Sequence, residues 1–334
     1  MKQIGINGFG RIGRYVTRLS LESQEINVQL INDIADIHTL AHLLKYDSIH
    51  RELKHTFRIE GQRLIFSNGK EIQFTQEKNP ENIPWGTYGA DIVIESTGLF
   101  LTTEQVIMHF AGGAKKVVLS APAKSEDIKT IVMGVNEDIL SASDTIISNA
   151  SCTTNNAAPM VTVMRNLCEI ESAYITTVHS YTSDQRLHDA PHKDLRRARA
   201  AAESIVPTST GAAKAITKIF PELEGKIGGC GVRVPVPDGS FTDLTMVVKN
   251  PPTVQEINAA MKAAANESFG YTEDEIVSSD IIGISYGSLF DATQTKVMTQ
   301  GDVQLVKTVS WYDNEMSYVS QLVRTVKYFA SKIK

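Results

Sequence analysis

The 334 residues include 33 Lys and Arg against 38 Asp and Glu, which gives a formal net charge of −5. This acidic balance argues against a general polyanion binder, and the hydrophobic runs fall well short of the ~20 residues that cross a bilayer. We therefore expect neither a nucleic-acid partner nor a membrane partner, and the length suits about two domains with cores of their own.

A strand pattern at residues 4–7 opens the chain, and Gly8-Phe9-Gly10-Arg11-Ile12-Gly13 follows it directly before a helical pattern. This order is typical of a dinucleotide-binding unit. The first glycine permits a tight turn, the second lets the backbone approach a pyrophosphate, and the third lets the helix pack on the strand. The N-terminal segment lacks the apolar core of a signal peptide, so we expect a cytoplasmic protein.

The second predicted strand, at residues 26–32, ends next to Asp33. A carboxylate about 20 residues past the last glycine accepts hydrogen bonds from an adenosine ribose in such folds. The alternative is a turn aspartate that caps the next helix. Further short β-rich runs at 91–95, 116–120 and 145–148 predict a doubly wound parallel sheet, interrupted by a hairpin-like insertion at about 39–85.

Residues 148–156 join the last of these runs to a predicted helix and place Cys152 at the helix start. Unpaired N–H groups and the positive end of the helix macrodipole stabilise a thiolate there, which makes Cys152 a candidate nucleophile. A buried structural cysteine beside a well-capped helix is the alternative. The three cysteines are widely spaced without a C-x-x-C pair, so we expect neither disulfides nor a metal site.

Longer alternating runs at 174–179, 231–234 and 244–249 predict a mostly antiparallel sheet in the second half. His179 ends the first of these runs beside a polar segment, which makes it a candidate base. A basic segment at 194–199 and a hydroxyl-rich helix start at 207–212 suit phosphate binding. A solvated basic loop or a subunit contact is the alternative for the basic segment.

Three stretches together resemble phosphorylating glyceraldehyde-3-phosphate dehydrogenase of the bacterial glycolytic type: residues 6–14, 148–155 and 311–315. The resemblance extends over essentially the whole chain. It implies an α/β protein with a Rossmann-type doubly wound parallel sheet in an NAD-binding domain at 1–151. An α+β catalytic domain with a mostly antiparallel sheet would follow at 152–314, and a C-terminal helix at 315–334 would pack back on the NAD-binding domain.

The same resemblance implies oxidation and phosphorylation of D-glyceraldehyde 3-phosphate to 1,3-bisphosphoglycerate with NAD and inorganic phosphate, through a cysteine hemithioacetal and a thioester. It makes Cys152 the nucleophile and His179 its base, in a homotetramer. The implied cofactor residues are Gly8, Gly10, Arg11, Ile12, Gly13, Asp33, Lys78, Ser120 and Asn314. Thr182 and Arg233 would hold the substrate phosphate, and the attacking phosphate would be held by Ser151, Thr153, Arg197, Thr210 and Gly211.

The sequence departs from the family pattern at Asn156, where many members have a second cysteine, and at Lys78, where many have arginine. It does not decide whether Arg196 or Arg197 faces the attacking phosphate. Two other functions fit the motifs: a related dehydrogenase acting on erythrose 4-phosphate, and a catalytically silent NAD-binding module with a redox-sensing cysteine. Retention of Cys152, His179 and Arg233 together argues against the silent module.

Overall fold

The computed structural model describes residues 1–301 and 303–332, and the chain divides into two compact units. Unit 1 consists of Met1–Ile131, Glu137–Ala150 and Leu322–Lys334, and unit 2 consists of Val132–Asn136 and Ser151–Gln321. The division at 1–151, 152–314 and 315–334 that the resemblance implies stays a prediction. No helix in the described ranges is long and apolar enough to cross a membrane.

Unit 1 is built on a twisted, largely parallel sheet, as the sequence predicts. Its strands are β1 (Lys2–Asn7), β2 (Ile26–Asn32), β3 (Phe57–Glu60), β4 (Arg63–Phe66), β5 (Glu71–Thr75), β6 (Ile92–Glu95), β7 (Lys116–Leu119), β8 (Lys129–Thr130) and β9 (Ile146–Ser148). Their spatial order is β3-β4-β5-β2-β1-β6-β7-β9-β8. In this spatial order, each neighbouring pair from β5 through β2, β1, β6, β7 and β9 to β8 is parallel. The pairs β3 with β4 and β4 with β5 are antiparallel and form the predicted hairpin insertion.

Helices cover this sheet because its central strands are apolar on both faces. Every residue of β6 and β7 is buried, a pattern typical of parallel strands between two helical layers. The helices are α1 (Arg11–Glu22), α2 (Ile37–Lys45), α3 (Thr103–Val106) and α4 (Met108–Ala111), with 3₁₀ turns at Pro80–Asn82 and Glu137–Ile139. α1 buries a stripe that includes Gly13, Val16 and Leu21.

Unit 2 contains a mixed sheet that is mostly antiparallel. Its strands are β10 (Glu169–Ser180), β11 (Val206–Thr208), β12 (Ile227–Val234), β13 (Ser240–Lys249), β14 (Phe269–Thr272), β15 (Ser288–Asp291), β16 (Lys296–Gln300) and β17 (Val303–Tyr312). Their order is β11-β12-β10-β13-β17-β15-β14, and β16 pairs with β17. Among the described strands, the pairs β10 with β12 and β14 with β15 are parallel.

The remaining helices are α5 (Cys152–Leu167), α6 (Ala212–Ile219), α7 (Val254–Ala263) and α8 (Met316–Ser331), with 3₁₀ turns at Pro221–Leu223 and Ala292–Gln294. α8 runs from unit 2 into unit 1 along the chain. Within unit 1, its Thr325 hydroxyl donates to Asn149 Oδ1 at 2.6 Å, and Lys116 Nζ lies 4.1 Å from the Phe329 ring centroid. These contacts anchor the end of α8 to the parallel sheet.

We predict that Gly8→Ala destabilises the protein by about 1–3 kcal/mol, because Gly8 has a φ of +92° that L side chains rarely adopt. A Cβ on Gly8 would also lie 2.7 Å from the Thr97 backbone nitrogen. The matched control is Gly10→Ala, whose Cβ would meet nothing within 4 Å and which should cost less than about 1 kcal/mol. Urea-unfolding midpoints of the two variants measure the difference, and equal midpoints would contradict the prediction.

Candidate active site

Cys152 is the first residue of α5, and it faces a histidine from the neighbouring sheet. The distance from Cys152 Sγ to His179 Nε2 is 3.5 Å. Ser151 is the helix N-cap, and its hydroxyl accepts a hydrogen bond from Thr154 N at 3.1 Å. No acidic side chain lies in the first turn of α5, so the positive end of the helix points at the thiol and at any anion bound there.

His179 is held in place by its strand pairing. β10 and β12 run parallel with His179 opposite Arg233, so both side chains reach the same edge of the sheet. Arg233 Nη1 donates to the Ser180 carbonyl at 3.0 Å and lies against His179 Nδ1. Burial, reinforced by the Arg233 guanidinium, lowers the pKa of His179 to about 3, so the imidazole is neutral at neutral pH.

The contacts of His179 Nδ1 fit both tautomers of this neutral ring. Donation from Nδ1 to the Ser180 carbonyl, 2.8 Å away, leaves the Nε2 lone pair facing the Cys152 sulfur. Acceptance by Nδ1 from Arg233 instead places a proton on Nε2, where it can donate to a thiolate. The first arrangement lets His179 accept the thiol proton, and the second lets it donate to a thiolate.

The electrostatics of Cys152 differ from what its helix-start position alone indicates. Burial raises the pKa of the Cys152 thiol, while the Arg233 charge and the Thr153 N–H act in the opposite direction. Desolvation is the larger effect, so it outweighs the helix terminus. The geometry thus favours a thiol with an adjacent neutral base over a standing thiolate.

Tyr312 is a buried residue of the site that the sequence analysis did not single out. Its hydroxyl is 2.9 Å from Thr153 Oγ1 and 2.8 Å from Thr177 Oγ1, and its ring meets the His179 ring edge-on. These contacts fix Thr153 beside Cys152 and support one face of His179. The only sequence signal was its place in the 311–315 motif.

Asn156, which stands where many family members have a second cysteine, is a structural residue here. Its Nδ2 donates to the Trp311 carbonyl at 3.0 Å, and its Oδ1 accepts from the Ser310 hydroxyl at 2.9 Å. The side chain is fully buried and ties α5 to β17.

A cationic cluster lies beside the Cys152–His179 pair. β11 pairs with β12 so that Val206 lies opposite Arg233, and Arg197 donates from Nε and Nη2 to the Thr208 hydroxyl on β11 at 3.0 and 2.7 Å. Arg197 also forms an ion pair with Asp184. Arg196 is exposed, whereas Arg197 packs against the sheet near Arg233.

The remaining predicted anion ligands occupy two loops of unit 2. Thr182 follows β10 by two residues, and its backbone nitrogen is 3.4 Å from Gln185 Oε1. Thr210 and Gly211 precede α6, where the Thr210 hydroxyl accepts from Ala212 N at 3.2 Å. Gly211 is exposed and a Cβ built there meets nothing within 4 Å, which leaves room for a ligand at this helix start.

Asn314 has its amide oriented by two hydroxyls. Ser180 Oγ and Ser240 Oγ donate to Asn314 Oδ1 at 2.6 and 2.9 Å. Because Oδ1 is the acceptor of both bonds, the two N–H donors on Nδ2 are left for another acceptor. A carboxamide oxygen, such as that of a nicotinamide, has the complementary chemistry.

The glycine turn of unit 1 fits a dinucleotide. Gly10 is exposed with open space where its side chain would be, so a pyrophosphate can approach the start of α1. A Cβ on Gly13 would collide with the Gly8 carbonyl, as expected for the glycine that lets helix and strand pack closely. Ile12 lies in the first turn of α1, beside this opening.

The other cofactor residues predicted in unit 1 follow strand ends. Asp33 accepts from Phe9 N at 2.7 Å and from Ala35 N at 2.9 Å, so it also braces the glycine turn. It is not the cap of α2, because Asp36 caps that helix. The Arg11 guanidinium donates to Asp47 at 2.6 Å. The backbone of Arg11, rather than its side chain, therefore belongs to the glycine turn.

Lys78 and Ser120 complete this set. Lys78 is exposed beyond the end of β5, and Ser120 directly follows β7, where its backbone nitrogen donates to the Glu95 carbonyl at 2.9 Å. Both lie past carboxyl ends of parallel strands, the edge at which ligands bind in such sheets.

Comparisons with known proteins match both units. Two family models match the chain: "Glyceraldehyde 3-phosphate dehydrogenase, NAD binding domain" over residues 2–103 and "Glyceraldehyde 3-phosphate dehydrogenase, C-terminal domain" over residues 151–314. The glyceraldehyde-3-phosphate dehydrogenase of Clostridium pasteurianum is 56% identical over 336 residues, covering 100% of both chains. Those of Clostridium acetobutylicum and Streptococcus pyogenes serotype M1 are each 54% identical, covering 100% and 99% of both chains respectively.

We predict that Arg233→Gln slows alkylation of Cys152 by iodoacetamide near pH 7 by roughly three- to tenfold. The thiolate is the reactive form, and a rise of about one unit in the pKa of the thiol lowers the thiolate fraction about tenfold. The Arg233 charge lowers the pKa of Cys152, so its removal raises that pKa and shifts the rate profile to higher pH. Peptide mass spectrometry across pH 6–9 follows the labelling. The control is Arg196→Gln, which removes an exposed charge and should leave the profile unchanged. An unchanged profile in Arg233→Gln would show that the guanidinium does not act on the thiol.

Proposed function

The chain belongs to the glyceraldehyde 3-phosphate dehydrogenase family, and we propose that its Cys152–His179 pair oxidises and phosphorylates D-glyceraldehyde 3-phosphate through a cysteine thioester. NAD is the cofactor, and the product is 1,3-bisphosphoglycerate, formed in glycolysis. The observation that carries the mechanism is the 3.5 Å contact between Cys152 Sγ and His179 Nε2 at the start of α5. At that contact a nucleophile and a base are close enough to act together on one carbonyl group.

The first step is addition to the aldehyde. His179 Nε2 takes the thiol proton while the Cys152 sulfur bonds to the carbonyl carbon. The protonated imidazole then returns this proton to the resulting alkoxide, which gives a hemithioacetal and restores the neutral base. A neutral His179 is suited to this step because burial and Arg233 keep the imidazole unprotonated. The thiol therefore loses its proton only as the sulfur–carbon bond forms.

Oxidation of the hemithioacetal follows. Bound NAD supplies a hydride acceptor for the carbon–hydrogen bond of this intermediate. His179 removes the hydroxyl proton as the hydride leaves, so the carbon becomes a thioester carbonyl and two electrons are transferred. Asn314 is suited to orient the nicotinamide carboxamide, because Ser180 and Ser240 fix the direction of its amide.

Inorganic phosphate then attacks the thioester carbon, and the carbon–sulfur bond breaks to release the acyl phosphate and the cysteine sulfur. We assign Arg233 and Thr182 to the phosphate that the substrate carries. Ser151, Thr153, Arg197, Thr210 and Gly211 are assigned to the attacking phosphate. Arg197 rather than Arg196 is chosen because it is braced by Thr208 and lies near Arg233.

We further propose that the protein is a cytoplasmic homotetramer. The loop that carries the basic segment exposes large apolar side chains, with Leu187, Leu195 and Ile205 each at least 69% accessible. Exposed apolar groups of this size favour a protein interface. No metal is assigned to the site, since its proposed chemistry uses a thiol, an imidazole and the nicotinamide.

We predict a burst of NADH followed by a stall when the protein meets aldehyde and NAD without phosphate. The hydride step requires only Cys152, His179 and NAD, whereas turnover requires a phosphate to remove the acyl group. Stopped-flow absorbance should show up to one NADH per active subunit, and addition of phosphate should restore steady turnover. Equal steady rates with and without phosphate would mean that water accepts the acyl group, and the phosphorylating mechanism would be withdrawn.

Arg197→Gln should raise the KM for inorganic phosphate by about 10- to 100-fold, because a charge-assisted hydrogen bond to an anion is worth roughly 1.5–3 kcal/mol. The KM for the aldehyde should change much less. Arg196→Gln is the matched control, since it removes the same charge from the next position without the Thr208 brace, and its phosphate KM should stay within about twofold. Initial rates over both substrates separate the two constants, and equal phosphate KM values for the two variants would refute the assignment.

A further inference from the structure

The loop after β10 carries three aspartates, and one of them is bound in a different way from the other two. Two of them accept backbone N–H groups within the loop and fasten its backbone: Asp189 and Asp194. In the described part of the chain, Asp184 accepts from the Arg197 guanidinium alone, and its other oxygen lies 3.8 Å from His192 Nε2. The carboxylate of Asp184 is therefore directed at a cation and not at the loop backbone.

The Arg197 guanidinium is also held independently of Asp184. It has five N–H groups, and Thr208 Oγ1 accepts from Nε at 3.0 Å and from Nη2 at 2.7 Å. Asp184 takes one N–H of Nη1. Within the described ranges, this leaves one N–H on Nη1 and one on Nη2 for a further acceptor. Thr208 can therefore keep the guanidinium in place while an anion binds to it.

An anion bound to Arg197 would lie close to Asp184. Two oxygens that accept from one planar NH2 group at ordinary hydrogen-bond distances are roughly 5 Å apart. Two negative charges at that separation repel each other. The Asp184 side chain is 49% accessible, against 18% for Arg197, so the carboxylate can be hydrated when an anion takes its place.

Asp184 also acts when no anion is bound. Burial lowers the pKa of Arg233, and the charge of Arg197 lowers it further, which means that the two guanidinium groups repel each other. The charge of Asp184 acts on this pKa in the opposite direction. Asp184 thus supplies the negative charge that the two cations would otherwise receive from a bound anion.

We propose that Asp184 competes with inorganic phosphate for Arg197 and thereby sets a low affinity of this site for phosphate. This inference rests on the proposed function. The attacking phosphate becomes the phosphate group of the acyl phosphate, so the competition weakens the binding of substrate and product alike. Weak binding suits a site that must empty in every turnover, because binding that is equally strong in the ground state and the transition state does not raise kcat.

The test is Asp184→Asn, which keeps an oxygen that can accept from Arg197 but removes the charge. The KM for inorganic phosphate should fall by roughly three- to tenfold, the range for one partly exposed charge near a doubly charged anion. The KM for the aldehyde should change by less than about twofold, because its phosphate is assigned to Arg233 and Thr182. Initial rates of the full chain with NAD, measured over both substrates, separate the two constants.

A purely structural role for Asp184 predicts the opposite sign. If the carboxylate only held Arg197 in place, its loss would raise the KM for phosphate, most of all in Asp184→Ala, which removes the acceptor as well. Competition predicts a lower KM in Asp184→Ala too, and this variant replaces Asp184→Asn if the latter does not fold. The matched control is Asp189→Asn, which removes a charge that pairs with Arg199 at 2.9 Å in the same loop. Its phosphate KM should stay within about twofold.

Thermal unfolding supplies a readout that does not depend on turnover. Without phosphate, Asp184→Asn should melt at a lower temperature than the unmodified protein, because the repulsion between Arg197 and Arg233 is no longer offset. Inorganic phosphate at one fixed concentration should then raise the melting temperature of the variant by more than that of the unmodified protein, since a tighter ligand stabilises the folded state more.

A phosphate KM that is unchanged or higher in Asp184→Asn would overturn the inference. An equal fall in Asp189→Asn, or a gain in melting temperature with phosphate no larger than that of the unmodified protein, would do the same. In each case phosphate-dependent turnover of the unmodified protein would leave the proposed function standing. Turnover of the unmodified protein at the same rate without phosphate would instead remove the proposed function, and this inference with it.

Discussion

The parallel pairing of β10 with β12 is the constraint on which the catalytic geometry depends. In a sheet that is otherwise mostly antiparallel, this pair brings the ends of both strands to one edge and places His179 beside Arg233. The guanidinium then lies behind Nδ1 while Nε2 faces Cys152. Because β11 pairs with the other side of β12, Arg197 and Thr208 join the same edge. Three neighbouring strands thus bring a base and two cations to the start of α5.

Burial and the charge of Arg233 together shift the pKa values of Cys152 and His179. Arg233 lowers the pKa of both Cys152 and His179, but desolvation favours the uncharged form of each. The result is a thiol next to a neutral imidazole, and the proton has only to cross one short contact when a carbonyl arrives. A thiol also oxidises more slowly than a thiolate, so the raised pKa of Cys152 protects the nucleophile between turnovers.

Local sequence signals predicted the parallel sheet, the glycine turn and the helix start at Cys152, because each depends on residues within about one βα unit. Local sequence patterns do not reveal contacts between segments that are far apart along the chain. Arg196 and Arg197 are adjacent in sequence, and only the bonds of Arg197 to Thr208 and Asp184 distinguish them. The burial that raises the pKa of Cys152 was not visible in the sequence either, since a helix terminus is a local feature and desolvation is not. The hydrogen bond from Asn7 to Glu95 was not predicted because it joins residues 88 positions apart.

Both units place polar side chains at the ends of neighbouring strands. In unit 2, the guanidinium groups of Arg197 and Arg233 lie near each other at the edge of the sheet, and Asp184 offsets their mutual repulsion. In unit 1, the last residues of the neighbouring strands β2, β1 and β6 are buried next to the glycine turn, whose backbone N–H groups suit a pyrophosphate. Asn7 and Thr97 both donate to Glu95, and Thr97 lies against Gly8, so the ends of these strands hold the glycine turn in the shape that suits a phosphate.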